Sequence, residues 1–220
     1  MAFIKQTINE TMDVWEKCYK SDFVQELAKG TLPFEKFKFY IIQDSIYLKQ
    51  YARVYAMAMY RSTTLKDLQV FYNILSFVTD GESAVRLNYL NQFGITDEDI
   101  ELMQATKVNR NYTDYMLSIA ENNDIPEILM AVLPCMIGYC YVFTEVVKNH
   151  SNIKKSPYWA LIDDYANDEY IKSCEFWAHY ADKKCDYLPV ERQEKLKEIF
   201  RQASLHELYF WEMVFEKESV

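Results

Sequence analysis

Glycine is scarce in this chain, four residues in 220, and proline is hardly commoner at five. So little turn chemistry cannot punctuate a series of hairpins, while apolar residues recur every three or four positions almost throughout. The pattern predicts an all-α protein, a single-domain helical bundle over residues 1–220, with no repeat, low-complexity tract or linker to divide it. Histidine is rarer still: three, at positions 150, 179 and 206. None has a glutamate three residues before it, which excludes the Glu-x-x-His pairs of a di-iron carboxylate bundle. HExxH, GxGxxG and P-loop sequences are also missing, so no metal site and no nucleotide fingerprint is predicted. Basic charge is in deficit, 24 Lys and Arg against 33 Asp and Glu, for a formal charge of -9. That balance argues against a nucleic acid or anionic membrane partner, each of which calls for a basic footprint.

The five cysteines, at 18, 135, 140, 174 and 185, are odd in number and never spaced CxxC. With no signal peptide at the start, they predict a reduced, cytoplasmic protein. The longest apolar stretch, about Ile128 to Val147, is interrupted by Pro134, Gly138 and several tyrosines, and no run is expected to reach the length needed to cross a bilayer.

What is present is helical periodicity. A first helix is predicted over about Ile4 to Tyr19, with Ile4, Ile8, Met12, Trp15 and Tyr19 on one stripe. A long second one runs to about Tyr60, with Thr31 as its cap and Pro33 in its first turn. Two shorter helices follow, one carrying Leu65, Leu68, Tyr72 and Leu75, the other spanning about Glu82 to Phe93 and stopping at Gly94. Thr96 and Asp99 form a capping box for a helix continuing through Tyr112 to Ile119, ended by Asn122 and Asn123. Asp124 and Pro126 open the next, a helix bearing Cys135. After a polar loop from Ser151 to Pro157, one helix carries Trp159, Ile162, Tyr165 and Glu169, and Pro189 starts the last.

Three polar groups fall where the core should be. The long helix's stripe reads Phe37, Tyr40, Asp44, Tyr47, Tyr51, Tyr55, and the last helix's stripe reads Leu196, Phe200, Ala203, Glu207, Phe210, Val214. A buried carboxylate needs donors or a ligand and otherwise becomes a weaker acid, so two inward acids point to a site as well as to satisfied core carboxylates. Cys135 follows Pro134 inside its helix and shares a face with Tyr139 one turn on, whereas Cys140 projects elsewhere and reads as packing. Pro134 is expected to bend the helix locally. A thiol, two carboxylates and several tyrosines suit a flat polar heterocycle that is protonated during nucleophilic attack, although spacing does not say which. A Cys-His-acid hydrolase stays open on spacing alone. His206, beside Glu207 but about 100° round the helix, reads as surface or interface.

An ordered set of segments resembles the thiaminase II (TenA) family of aminopyrimidine hydrolases over essentially the full length. The set comprises Gln43-Asp44-Ser45-x-Tyr47-Leu48, Tyr112, Cys135-x-x-x-Tyr139, the Trp159-to-Tyr165 block, and Glu207-x-x-Phe210-Trp211. The resemblance implies an all-α bundle of the haem-oxygenase-like type, assembled as a homotetramer and working without a cofactor. With no histidine before residue 150, a proximal haem ligand near the N-terminus is missing and the haem role does not transfer.

The implied reaction is hydrolysis of a C–N bond at the pyrimidine methylene of aminopyrimidine or thiamin, giving hydroxymethylpyrimidine for thiamin salvage. By the same resemblance Cys135 is the nucleophile and Glu207 the acid that protonates a ring nitrogen, and Asp44 holds the amino group. Tyr112, Tyr139 and Tyr165 hydrogen-bond around ring, thiol and acid, Tyr47 lies near the nucleophile, and Phe210 is a stacking wall. Cys135 places the chain in the family's cysteine-bearing branch. One departure, Leu205-His206-Glu207 where the family often has Tyr before the Glu, bears on substrate preference. Two other readings are a non-catalytic regulator of extracellular enzyme production and a pyrimidine-binding sensor.

Overall fold

The computed structural model describes residues 2–76 and 83–216. Among them are eleven α-helices and no strand: α1 (Phe3–Lys20), α2 (Asp22–Lys29), α3 (Phe34–Arg61), α4 (Leu65–Ser76), α5 (Ser83–Phe93), α6 (Asp97–Leu102), α7 (Lys107–Asn122), α8 (Ile125–Asn149), α9 (Trp159–Ala166), α10 (Asp168–Cys185) and α11 (Val190–Glu212). They group into two compact units, one made of Met1–Leu32 with Leu129–Val220, the other of Pro33–Ile128. Glu82, where the helix ending at Phe93 is expected to begin, lies outside the described residues.

In the first unit α1 lies along α11 and also meets α10 and α2. The buried face of α1 is Phe3, Ile4, Thr7, Thr11, Val14, Trp15 and Cys18, so the stripe is rotated from the one drawn through Ile8, Met12 and Tyr19, which are half-buried. Thr7 turns inward at little cost because its hydroxyl donates to the Phe3 carbonyl at 2.9 Å, within its own helix. Trp15 donates its indole N–H to Ser204 Oγ of α11 at 3.0 Å, fixing the two helices in register.

A short helix that the periodicity passed over, α2, starts where Ser21 Oγ accepts from the Val24 N–H, and ends at Gly30 in the left-handed conformation, φ 71°. A Cβ at Gly30 would stand 3.0 Å from Pro157 Cδ, whereas Gly94, φ 67°, has open space around it. Gly94→Ala should therefore cost only the backbone strain of about 1 kcal/mol, and Gly30→Ala should cost more. Equilibrium unfolding of the two variants checks this, since equal losses would mean that the Pro157 contact yields freely.

In the second unit α3 is central and packs against α4, α5, α6 and α7. Its N-cap is Pro33, with no side-chain bond. Thr31, expected to cap it, instead donates to the Glu26 carbonyl behind it. On α4 the core face is Phe71 and Ile74, while Leu65 and Tyr72 are exposed, because the helix is apolar on two sides and packing on α3 chose one.

The Thr96–Asp99 capping box is present, but the helix it starts ends at Leu102, and α7 begins afresh at Thr106. The break is held from outside. Gln43 of α3 donates Nε2 to the Gln104 carbonyl at 3.2 Å and accepts from the Thr106 N–H and from Asn109 Nδ2, both at 3.0 Å. A helix running straight through would forfeit these bonds, which satisfy the turn's backbone. Asn167 likewise divides the helix predicted from Trp159 to Glu169. Its Nδ2 donates to the Asp163 and Asp164 carbonyls at the end of α9 and its Oδ1 accepts from the Tyr170 N–H at the start of α10.

α8 runs unbroken through Pro134 for 25 residues, and by length and composition it could cross a membrane, which corrects the expectation that no run is long enough. In this structure 67% of its most apolar stretch is buried inside the protein, as in a core helix.

Candidate active site

The acid of the second unit is Asp44. It sits in the predicted stripe of α3, all six members of which are buried. Loss of water raises its pKa to about 7, and the Arg86 guanidinium opposes that rise. Arg86, reaching in from α5, donates Nη1 to Ser45 Oγ at 3.0 Å and stands 4.0 Å from Asp97. Ser45 Oγ donates to the Ile41 carbonyl at 2.7 Å, so it receives the guanidinium as an acceptor. The Arg86 Nε is buried without a hydrogen-bond partner.

Beside Asp44 runs a tyrosine row. Tyr47 lies 5.1 Å from the ring of Tyr112 and stacks on Tyr51 at 5.5 Å, and Tyr51 and Tyr55 share a hydroxyl contact of 3.0 Å. Tyr47 directs its hydroxyl to Met116 Sδ at 3.6 Å. The residues predicted from this part of the chain are thus brought together: Tyr47 and Tyr112 touch, one turn from Asp44 on the same face of α3.

In the first unit Cys135 is half-buried on α8 and not in a disulfide, one turn before Tyr139. Pro134 has no N–H, so the Met130 carbonyl loses its donor four residues on. Tyr139, Tyr165 and Trp211 form a ring cluster. Tyr139 is 4.9 Å from each of the other two, and Phe143 stacks on Tyr165 at 5.5 Å. Trp211 Nε1 donates to the Tyr139 hydroxyl at 2.8 Å.

Glu207 and Phe210 are buried on α11, as their stripe predicted. Burial first, then the charges of Glu207 and Glu212, push the Cys18 thiol up. His206, read as surface or interface, is half-buried. Burial lowers its pKa, and its ring meets Tyr209 edge-on. Cys140 packs toward α10, where a hydrogen bond from Cys174 lowers its pKa most and burial works the other way.

Three residues of these surroundings were given no role from the sequence, although Trp211 stands in the Glu207-x-x-Phe210-Trp211 segment. Arg86 gave no signal, because its bond to Ser45 joins residues 41 apart in sequence. Trp211 carried one: it lies four residues past Glu207 on a buried face, and a buried indole N–H needs an acceptor. Asp164 is half-buried beside Tyr165, and burial, helped by the charge of Asp163, raises its pKa to about 6. Among the described residues no group of three His, Cys, Asp or Glu is placed to hold a metal ion.

Comparison with known proteins bears on this arrangement. The model of the TENA/THI-4/PQQC family matches residues 9–217. The chain belongs to this family. A relative named aminopyrimidine aminohydrolase, from Helicobacter pylori, is 29% identical over 204 residues, 92% of this chain and 94% of its own. Among solved structures, a TenA homologue from P. horikoshii superimposes with a TM-score of 0.85 at 27% identity, covering 98% of this chain and 99% of its own. A domain with a haem-oxygenase-like fold from Shewanella denitrificans, 13% identical, matches with a TM-score of 0.75 over 96% of this chain and 91% of its own. The all-α fold of the TENA/THI-4/PQQC chain is therefore of the haem-oxygenase-like type.

Proposed function

We propose that this TENA/THI-4/PQQC family member is an aminopyrimidine aminohydrolase of thiamin salvage. It hydrolyses the C–N bond at the pyrimidine methylene of aminopyrimidine, thiamin or both to give hydroxymethylpyrimidine. The observation that carries the reading is near full-length similarity to a protein named for that activity, and the resemblance of the segments holding Cys135 and Glu207 supports it. In this reading the whole chain is one catalytic domain, cytoplasmic, cofactor-free and assembled as a homotetramer. Light scattering on the purified protein would then give four times the chain mass of 26.2 kDa.

Glu207, as a carboxylic acid, gives its proton to a ring nitrogen and makes the pyrimidine electrophilic. The Cys135 thiolate adds to a ring carbon, and the ring loses its aromaticity. The electron pair then returns through the ring to break the exocyclic C–N bond, and the amine of aminopyrimidine leaves as ammonia with a proton from solvent, whereas the thiazolium of thiamin leaves as neutral thiazole. Water adds to the exposed methylene and gives its proton to solvent, the thiolate is expelled, and the ring nitrogen returns its proton to Glu207 as aromaticity is recovered. By the family resemblance Asp44 would accept from the 4-amino group, Tyr112, Tyr139 and Tyr165 would support ring, thiol and acid, Tyr47 would serve the nucleophile, and Phe210 would stack on the ring.

The test is separate incubation with aminopyrimidine and with thiamin, following hydroxymethylpyrimidine by mass spectrometry. Release from at least one is expected, and release from neither overturns the reading. A regulator acting on DNA has less support, given the charge of -9 and a sequence without a recognisable helix-turn-helix.

A further inference from the structure

Trp211 is 1% exposed, and its indole N–H ends on the hydroxyl of Tyr139, 2.8 Å away, with the two rings meeting edge-on at 62°. The bond joins α11, one turn beyond Glu207, to α8, one turn beyond Cys135. An indole N–H can only donate, so the phenol oxygen is the acceptor. A phenol has one proton and two acceptor positions. With the indole in one of them, the phenolic proton is turned away from Trp211 and is available to another neighbour. Accepting one hydrogen bond also strengthens the one that the same hydroxyl donates.

We propose that Trp211 is a positioning residue, whose indole N–H holds Tyr139 as a hydrogen-bond donor to the ionised sulfur of Cys135. The inference rests on the reading of Cys135 as the nucleophile. Cys135 and Tyr139, four residues apart in α8, share one helical face. A donor fixed in advance favours thiolate over thiol, both before addition to the ring and when the sulfur is expelled. Were the bond merely the satisfaction of a buried tryptophan, its loss would lower stability and leave the chemistry of the thiol alone.

Trp211→Phe keeps an aromatic ring and deletes the N–H. The first readout needs no substrate: the rate at which iodoacetamide alkylates Cys135, followed by peptide mass spectrometry across pH. The midpoint should rise by about one pH unit in the variant, and alkylation near neutral pH should fall about tenfold. With substrate, kcat should fall about tenfold while KM changes less than about twofold. Tyr139→Phe should raise the same midpoint, and the double variant should add nothing further, because Trp211 acts through Tyr139.

An unchanged midpoint in Trp211→Phe, or additive effects in the double variant, overturns the proposal. If Trp211→Phe does not fold, Tyr139→Phe alone decides, and an unchanged midpoint there overturns it equally. Failure of the wild-type protein to turn over either pyrimidine would remove the proposed reaction, and the alkylation midpoints would still report whether Trp211 tunes the thiol.

Discussion

Cys135→Ala should lower kcat for aminopyrimidine by about a thousandfold or more, with the fold intact. In the proposed reaction the sulfur forms the covalent bond that interrupts the ring's aromaticity, and no other group is assigned to supply that electron pair. A thousandfold corresponds to about 4 kcal/mol of transition-state stabilisation, within the range of a deleted catalytic group. Stability should change far less. The side chain is half-buried, alanine keeps the Cβ, and the lost sulfur contributes about 1 kcal/mol of burial. Cys135→Ser should be nearly as inactive, because a hydroxyl is scarcely ionised near neutral pH. Steady-state rates and thermal unfolding of both variants check this, and a kcat within tenfold of the wild type would take the nucleophile's role from Cys135.

Asp44→Asn should act on stability and activity in opposite directions. Burial raises the Asp44 pKa to about 7, well above an ordinary carboxylate near 4. Between those values the folded protein holds a proton that the unfolded chain has released. Folding stability attributable to Asp44 therefore falls as pH rises from about 4 to about 7, and stays at its reduced level above that. Asparagine never ionises. The variant should gain up to about 4 kcal/mol relative to wild type at pH 8, less whatever its amide loses by poor pairing, and gain nothing at pH 4.

Activity should move the other way. A carboxylate accepting from an exocyclic amino group makes a charge-assisted bond, and its loss should reduce kcat/KM about tenfold or more, largely through KM. Denaturant titrations at the two pH values, beside kinetics at pH 8, test both halves. A stability difference independent of pH would show that ionisation of Asp44 is not what costs the fold. In the proposed reaction Asp44 would be stability given up for binding, a trade common in active sites.

The sequence by itself determined a good part of this protein. Apolar spacing of three and four residues is a property of the backbone's own period, so the all-α class and the stripes of α3 and α11 were legible, with Asp44 and Glu207 in place on them. The Thr96–Asp99 box is just as local, closed by groups three residues apart. The tertiary structure decided the rest, wherever a polar group found its partner far along the chain. Gln43 interrupts a helix more than 60 residues away, and Arg86 reaches Ser45 beside Asp44. The face of α1 follows its packing on α11 rather than its most apolar line. Trp211 and Tyr139 are 72 residues apart, and the direction of the Tyr139 hydroxyl exists only once α8 and α11 have met. Periodicity reports which face of a helix avoids water. Which donor a buried acceptor receives depends on a neighbour that only folding supplies.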